Sequence, residues 1–398
     1  MKKFIYILVF ITLLLPYHVF SFNIKSEHAI LYNLNDNTVL YELKSNDRVS
    51  IASMTKIMTA LIVIDNIDNL NEEFTMTADM YKSLKEENAA LAGFSIGERV
   101  TYYDLLYGLL LPSGAEAAQG LAIKTSGSID NFVIQMNDKV KELNLSNTHF
   151  ANPTGLDNEN NYSSVYDVAV ILKKALENKE FKKIFTTKKY VTSNKRHTFL
   201  STSYRNDIDT SFIDGSKTGF TYDAGLCMAS ISHYNGVNYL LVTAKAPYDN
   251  RSNHIIDAKT IYNYYFTNYG EQVILNKNDR LVTINLYDER SIDYLSNVDV
   301  KKYLKKDCTL VKEYRGKDII EETDELNSKL GEFVIKCDDD IIYQQDILVV
   351  QKAGPTDKMN FKEYIVVIMI IMVISFTLIL LFRKRYKNVH TKWKGDKK

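Results

Sequence analysis

SKTGFTYDAGLCMASISHYNGVNYLLVTAKAP, residues 216–247, decides the architecture. In it β-branched and aromatic residues alternate with small ones, and Tyr234-Asn235-Gly236 supplies a turn, so the segment reads as successive antiparallel strands. Upstream, AILYNLNDNTVLYEL at 29–43 alternates in the same way about Asn35 and Asp36 and predicts a hairpin. Between the two lie stretches with helical spacing of apolar residues: Ser53 to Ile67, Thr101 to Leu111, Ser113 to Ile123, Ser128 to Leu143 and Ser164 to Asn178. Their Ser and Thr starts can accept a hydrogen bond from a first-turn amide, and T-Y-Y-D and S-V-Y-D resemble capping boxes with Asp in place of Glu. A further helix, from about Asn250 to Tyr269, closes the region. Strands, a block of helices, more strands and a last helix predict an α+β fold in which helices pack on an antiparallel sheet.

The pattern changes near Gly270. From Glu271 to Gln351 the chain offers short strand-like runs (RLVTINLY, TLVKEY, EFVIKC, ILVVQ) and little helical periodicity, which predicts a small all-β domain. The expected organisation is a signal peptide at 1–21, a first domain at 22–269, the all-β domain at 270–352, a linker at 353–364, a transmembrane helix at 365–382 and a basic tail at 383–398. The signal peptide is read from Lys2 and Lys3 ahead of an apolar run from Phe4 to Leu15, with Ser21 at the cleavage position. Ile365 to Phe382 contains no charge and would extend about 27 Å as a helix, nearly the thickness of a hydrocarbon core. RKRYK follows it, and an excess of Lys and Arg marks the cytoplasmic side of a membrane helix. The body is therefore expected outside the cell, tethered to the cell membrane by its C-terminus.

The chain has 398 residues, 45% hydrophobic and 25% charged, enough apolar material for more than one core. Lys+Arg and Asp+Glu each total 49, yet the basic tail and Lys2-Lys3 draw the positive charge to the ends and leave an acidic body. An acidic body excludes nucleic acid as a main partner. Cys227, Cys308 and Cys337 show no metal-ligand spacing, and no metal or cofactor is implied. Cys308 and Cys337 are either bridged in an oxidising exterior or inert thiols. His197, His233 and His254 are scattered and read as structural or surface residues.

Chemistry enters at Ser53-Met54-Thr55-Lys56, the one Ser-x-x-Lys of the chain. Three residues is nearly one helical turn, so Lys56 Nζ can approach Ser53 Oγ. A serine hydroxyl is a weak nucleophile until its proton is taken, and lysine takes it only when burial or a nearby cation lowers its own pKa. Lys217-Thr218-Gly219 lies on an expected strand and supplies that second cation; Lys217 can also attract a substrate anion, while Gly219 leaves room for a ligand backbone.

Together with Ser113-Gly114 after a second helix, these motifs resemble the penicillin-binding proteins and class A β-lactamases, and specifically the low-molecular-weight D-alanyl-D-alanine carboxypeptidases. The resemblance covers about residues 28 to 350 and is carried by VSIASMTKIMTALI, LLYGLLLPSGAEAAQGLA, FANPTGLDNENNYSSVYDVA, DGSKTGFTYDAGLC and APYDNRSNHIIDA. It implies a sheet with packed helices and a serine D,D-carboxypeptidase that removes terminal D-Ala from peptidoglycan stem peptides ending in D-Ala-D-Ala, and that β-lactam antibiotics inhibit. It implies Ser53 as nucleophile, Lys56 as general base, and Ser113 as proton relay. Lys217 and Thr218, with Arg251, would hold the terminal carboxylate. Gly219 would give room, and the amides of Ser53 and Phe220 would form the oxyanion hole.

The second motif of the family ends in Asn, whose amide supports the lysine and the substrate carbonyl; here Ala115 stands in its place. Asn152 is a nearby amide that would substitute for it. Phe220 replaces a residue that is often polar, where only the backbone N–H is needed. A β-lactamase would need a dedicated deacylating base, and no Glu-x-x-x-Asn lies between the Ser-Gly and Lys-Thr-Gly motifs. A third reading, a wall-binding or β-lactam-sensing protein without catalysis, rests on Ala115.

Overall fold

The computed structural model describes residues 23–82, 84, 88–204, 207–287, 290–352, 362 and 364–379. The expected signal peptide therefore lies outside the described residues, as do most of the linker, the end of the apolar run and the basic tail. The chain divides into two compact units, Met1–Asn268 and Tyr269–Lys398.

The first unit opens with a hairpin of β1 (His28–Asn33) and β2 (Thr38–Leu43). A 3-10 turn (Ala52–Thr55) leads into α1 (Lys56–Asn66). The short strands β3 (Glu73–Thr75) and β4 (Arg99–Thr101) follow, and then α2 (Tyr102–Leu110), α3 (Ala115–Ser126), α4 (Ile129–Glu142), α5 (Val165–Leu176) and α6 (Lys179–Phe185). A small hairpin, β5 (Lys189–Val191) and β6 (Thr198–Leu200), precedes β7 (Gly215–Thr221), β8 (Gly225–Tyr234), β9 (Val237–Ala246) and α7 (Asn253–Asn268).

One antiparallel sheet in the order β2-β1-β9-β8-β7 organises these elements. Strand alternation sorts its side chains onto two faces. Leu240, Val242 and Ala244 of β9, with Cys227, Ala229 and Ile231 of β8, join the core built by the helices α1 to α6. On the other face Tyr239 packs its ring against Tyr262 of α7, and the Tyr262 hydroxyl meets Ser230 Oγ at 3.0 Å. The sheet is thus covered on both sides, which is why β1 is buried at every position. The tight turn between β8 and β9 follows from Asn235 (φ 48°) and Gly236 (φ 83°), both left-handed as a two-residue hairpin loop requires.

Helix starts follow the hydroxyl caps, with one variation. Thr101 and Asp104 form a reciprocal box at 3.1 and 3.2 Å. Ser164 accepts from Asp167 N at 3.0 Å, but the Asp167 carboxylate turns away to Asn147 N and Thr148 Oγ1 and ties α5 to the loop before it. Asn178 was expected to end a helix. Instead its side chain accepts from Glu180 N at 2.8 Å and starts α6.

The second unit is built of strands through residue 348. β10 (Tyr269–Leu275) pairs with β13 (Val300–Lys305); β11 (Arg280–Leu286) lies between β12 (Ser291–Leu295) and β15 (Ile319–Ile320); β14 (Leu310–Gly316), β16 (Lys329–Cys337) and β17 (Asp340–Leu348) form a third, antiparallel sheet. Ile274, Leu281, Ile284, Ile320, Phe333, Ile335 and Ile347 make its core. Cys308 and Cys337 are joined by a disulfide. Residues 364–379 are helical with exposed apolar side chains, but no helix among the described residues is long and apolar enough to cross a membrane.

The disulfide spans a sequence separation of 29 residues and staples the start of β14 to the end of β16. Cross-linking a loop of that length stabilises a fold by about 3 kcal/mol. Cys308→Ser is expected to lower the thermal transition of the all-β unit in calorimetry and to leave the transition of the first unit in place.

Candidate active site

Ser53 is the second residue of the 3-10 turn that runs into α1. The backbone leading to it is strained, because Ala52 has φ 45°, in the left-handed region where a Cβ is crowded. Two glycines make room for this peptide. A Cβ on Gly155 would stand 2.0 Å from Ala52 O, and one on Gly219 would stand 2.9 Å from Ser53 N. Gly155 also has φ 79°. The 152–156 loop and β7 therefore close on one and the same peptide, and neither could do so with a larger residue.

Lys56 opens α1 one turn beyond the serine. Its Nζ donates to Ser53 Oγ at 2.9 Å and to Thr154 O at 2.6 Å. Thr59, on the same face of α1, donates to Pro153 O at 2.7 Å, so the helix grips two successive carbonyls of the loop. Lys56 is 2% exposed, and burial pushes its ammonium down to about 7, against the pull of the buried Glu116 carboxylate. Lys217 of β7 is fully buried and donates to Thr218 O at 2.7 Å. Burial holds it far below the ordinary lysine range, and the charge of Lys56 lowers it further. Lys56 meets the serine hydroxyl directly, and its charge disfavours that of Lys217. A neutral amine one hydrogen bond from a serine is a base already in place.

Ser113 precedes Gly114, the N-cap of α3, and has φ 70°, a second strained non-glycine position. α3 packs against α1. Thr218 lies on the opposite face of β7 from Lys217, and its hydroxyl meets Thr202 Oγ1 at 2.6 Å. The ring of Phe220 is partly exposed and stands 4.7 Å from Tyr248 and 5.6 Å from Tyr222.

The exposed guanidinium of Arg251 pairs with Asp249, which Lys25 and Asn253 also engage. One sequence expectation is corrected. Asn152 does not stand in for the missing amide at position 115. Its Oδ1 accepts from Thr154 N, Thr154 Oγ1 and Gly155 N, and its Nδ2 donates to Leu156 O, so the side chain shapes its own loop.

Sequence reasoning passed over Glu116. This residue is fully buried in the first turn of α3, and its Oε1 accepts from Gly93 N at 2.7 Å and Phe94 N at 3.3 Å. Burial raises its carboxyl above the ordinary range, and those amides pull it back. The signal was a single acid in the otherwise uncharged run AEAAQGLA at 115–122, directly after Ser113-Gly114.

Comparison with known proteins decides what this arrangement belongs to. A family model described as D-alanyl-D-alanine carboxypeptidase matches residues 17–247. The chain belongs to that family. It is 29% identical over 344 residues to the D-alanyl-D-alanine carboxypeptidase DacF of Bacillus subtilis, covering 83% of this chain and 87% of the relative. The D-alanyl-D-alanine carboxypeptidase of a Streptomyces species is 31% identical over 255 residues, 59% of this chain and 84% of the relative. Among solved structures, the Streptomyces K15 DD-transpeptidase covers 61% of this chain and 97% of its own at 30% identity and a TM-score of 0.56. The DacD enzyme of Francisella tularensis, at 19% identity and a TM-score of 0.67, covers 83% of this chain and 94% of its own and shares the fold. The chain is thus a low-molecular-weight penicillin-binding protein and a serine hydrolase of the carboxypeptidase family.

Gly155→Ala tests the close approach directly. Its Cβ meets backbone rather than a flexible side chain, and the left-handed φ adds strain. The substitution is expected to cost about 3 kcal/mol in urea unfolding and to abolish labelling of Ser53 by a fluorescent penicillin.

Proposed function

We propose that the chain is a membrane-tethered serine D,D-carboxypeptidase, acting on peptidoglycan stem peptides through an acyl-enzyme on Ser53. The observation that carries this reading is the 2.9 Å contact between Ser53 Oγ and the Nζ of a buried lysine whose pKa lies at about 7. Lys56 takes the Ser53 proton as Oγ attacks the carbonyl of the penultimate D-Ala. The tetrahedral oxyanion is held by the N–H groups of Ser53 and Phe220, beside which Gly219 leaves space; one such donor is worth about 3 kcal/mol. Ser113 passes the proton on to the leaving amine, D-Ala departs, and water then cleaves the ester.

The substrate's terminal carboxylate is assigned to Lys217 and Thr218. Burial disfavours the charge of this amine, and an arriving anion favours it. Binding and protonation of Lys217 are then coupled, and β-lactams, which carry a carboxylate of their own, enter by the same route. Tethering rests on the sequence alone: the uncharged run 365–382, the basic residues after it, and the apolar segment after Lys2 and Lys3 place the catalytic unit outside the cell. The reading as peptidase rather than β-lactamase is supported by the lack of a Glu-x-x-x-Asn between the Ser-Gly and Lys-Thr-Gly motifs and by the carboxypeptidase family match.

Incubated with a stem pentapeptide, the full chain is expected to release D-Ala by mass spectrometry, and Ser53→Ala to release none. Release that persists in Ser53→Ala would sink the assignment. The pH dependence has a definite sign. Below about 7 Lys56 is an ammonium and cannot accept a proton, so acylation by penicillin should rise as pH climbs through that value. On the acid side the rate should fall about tenfold per pH unit. Lys56→Arg, which stays charged at every accessible pH, should lose at least about a hundredfold in acylation rate.

A further inference from the structure

Between β6 and β7 the chain passes Ser201, Thr202 and Ser203, consecutive hydroxyl residues whose partners come from different parts of the first unit. Ser201 N donates to Lys188 O at 3.0 Å, and Ser201 Oγ meets Ser203 Oγ at 3.1 Å. Ser203 is buried, and its Oγ accepts from Ser216 Oγ of β7 at 2.6 Å. Thr202 N donates to Leu111 O at 3.2 Å, just ahead of Ser113, and the Thr202 hydroxyl meets that of Thr218 at 2.6 Å. Thr202 thus ties the segment that leads to Ser113 to the strand that carries Lys217 and Thr218.

The two contacts with β7 differ in kind. The Ser203–Ser216 pair is buried, and with the backbone bonds to Lys188 and Leu111 it already fastens the segment. The Thr202–Thr218 pair lies at the surface, with Thr202 exposed and Thr218 half-buried. A hydrogen bond between such hydroxyls adds little to stability, because water competes for both. What it fixes is direction. Each hydroxyl has one proton, so in a pair one oxygen donates and the other receives. With Thr202 donating, the Thr218 proton is free to point outward, and its oxygen is polarised by the proton it receives. With Thr218 donating, its lone pairs point outward and would repel an anion. Lys217 is fully buried and donates to Thr218 O, so of these two residues it is Thr218 whose side chain reaches solvent.

We propose that Thr202 is a positioning residue for recognition of the substrate's terminal carboxylate: it donates to Thr218 Oγ1 and so turns the Thr218 proton toward the anion. The inference rests on the reading of Thr218 as a contact of that carboxylate. No proton leaves either oxygen; the two hydroxyls only rotate. A chain of two donors that ends on an anion holds it more strongly than one hydroxyl alone, because each bond polarises the next. A ligand with no charge at that end gains far less from the chain. Thr202 is therefore a specificity determinant for ligands that end in an anion, and it acts through Thr218.

The test is the second-order rate of Ser53 acylation by benzylpenicillin and by its methyl ester, followed by mass spectrometry, in the full chain and in Thr202→Val and Thr202→Ser. Valine keeps the shape of threonine without the hydroxyl, and serine keeps the hydroxyl. Thr202→Val is expected to lose about fivefold with benzylpenicillin and to match the parent with the ester. Thr202→Ser is expected to stay within about twofold of the parent with both ligands. An equal loss with both ligands in Thr202→Val marks a structural role and overturns the proposal, as does no loss with benzylpenicillin. A Thr202→Val chain that does not fold by circular dichroism overturns it too, since the bond would then be needed for folding. Should the ester acylate the parent too slowly to be timed, turnover of a stem pentapeptide decides. A KM raised in Thr202→Val at the parent's kcat supports the proposal, and a lowered kcat overturns it. If the parent is not acylated by benzylpenicillin at all, the reading of Ser53 falls and this proposal with it; an acylated parent whose Thr202→Val variant loses equally with acid and ester removes the proposal alone.

Discussion

The contact on which the rest depends is the close approach of three backbone segments at the Ala52–Ser53 peptide. Gly155 meets its carbonyl and Gly219 its amide, and at each the space for a Cβ is already taken. Because the loop comes that near, Thr154 O is within reach of Lys56, and because β7 comes that near, Lys217 is buried beside the same amine. The left-handed backbone of Ala52 and of Ser113 shows where the cost falls: two non-glycine residues held in a sparsely populated region, one directly before Ser53 and one directly before the N-cap of α3. The well-filled helical core and the five-stranded sheet supply the rigidity that holds them there.

Electrostatics follows from that packing. Two lysines in one buried site cannot both carry full charge, so burial that would be a defect in a structural core becomes a means of keeping an amine basic near neutrality. Thr154 O and Thr218 O accept from the two amines without adding charge, which satisfies their donors and leaves the protonation state open. A carboxylate bonded directly to Lys56 would have fixed it as an ammonium. Glu116 instead directs its Oε1 to the amides of Gly93 and Phe94.

Much of this was legible in the sequence, and the exceptions have physical causes. The spacing of Ser53 and Lys56 predicts their contact because one helical turn is local geometry, and the alternation in 216–247 predicts the strands because burial on both faces selects β-branched and aromatic residues. Lys217 was legible through its motif. Glu116 was not, since an acid in a helix usually points to solvent and only the tertiary fold buries this one. α6 was missed because Asn178 suits either end of a helix, and its side chain turned out to accept from the amides that follow. Backbone strain at Ala52 leaves no mark on composition or periodicity.

Among the described residues β7 is the last strand of its sheet, paired with β8 on one side. An unpaired rim of that kind is a vulnerability in most proteins, inviting a stray chain to extend the sheet. Here its residues alternate between a face sunk against the serine turn and a face bearing Thr218 and Phe220, so a guest peptide laid along it would meet polarity and shape at every second residue. Run the wrong way, the same guest would bring its free end to the aromatic rings rather than to Lys217. The orientation of cleavage would then be dictated by main-chain pairing before any side chain of the guest is read.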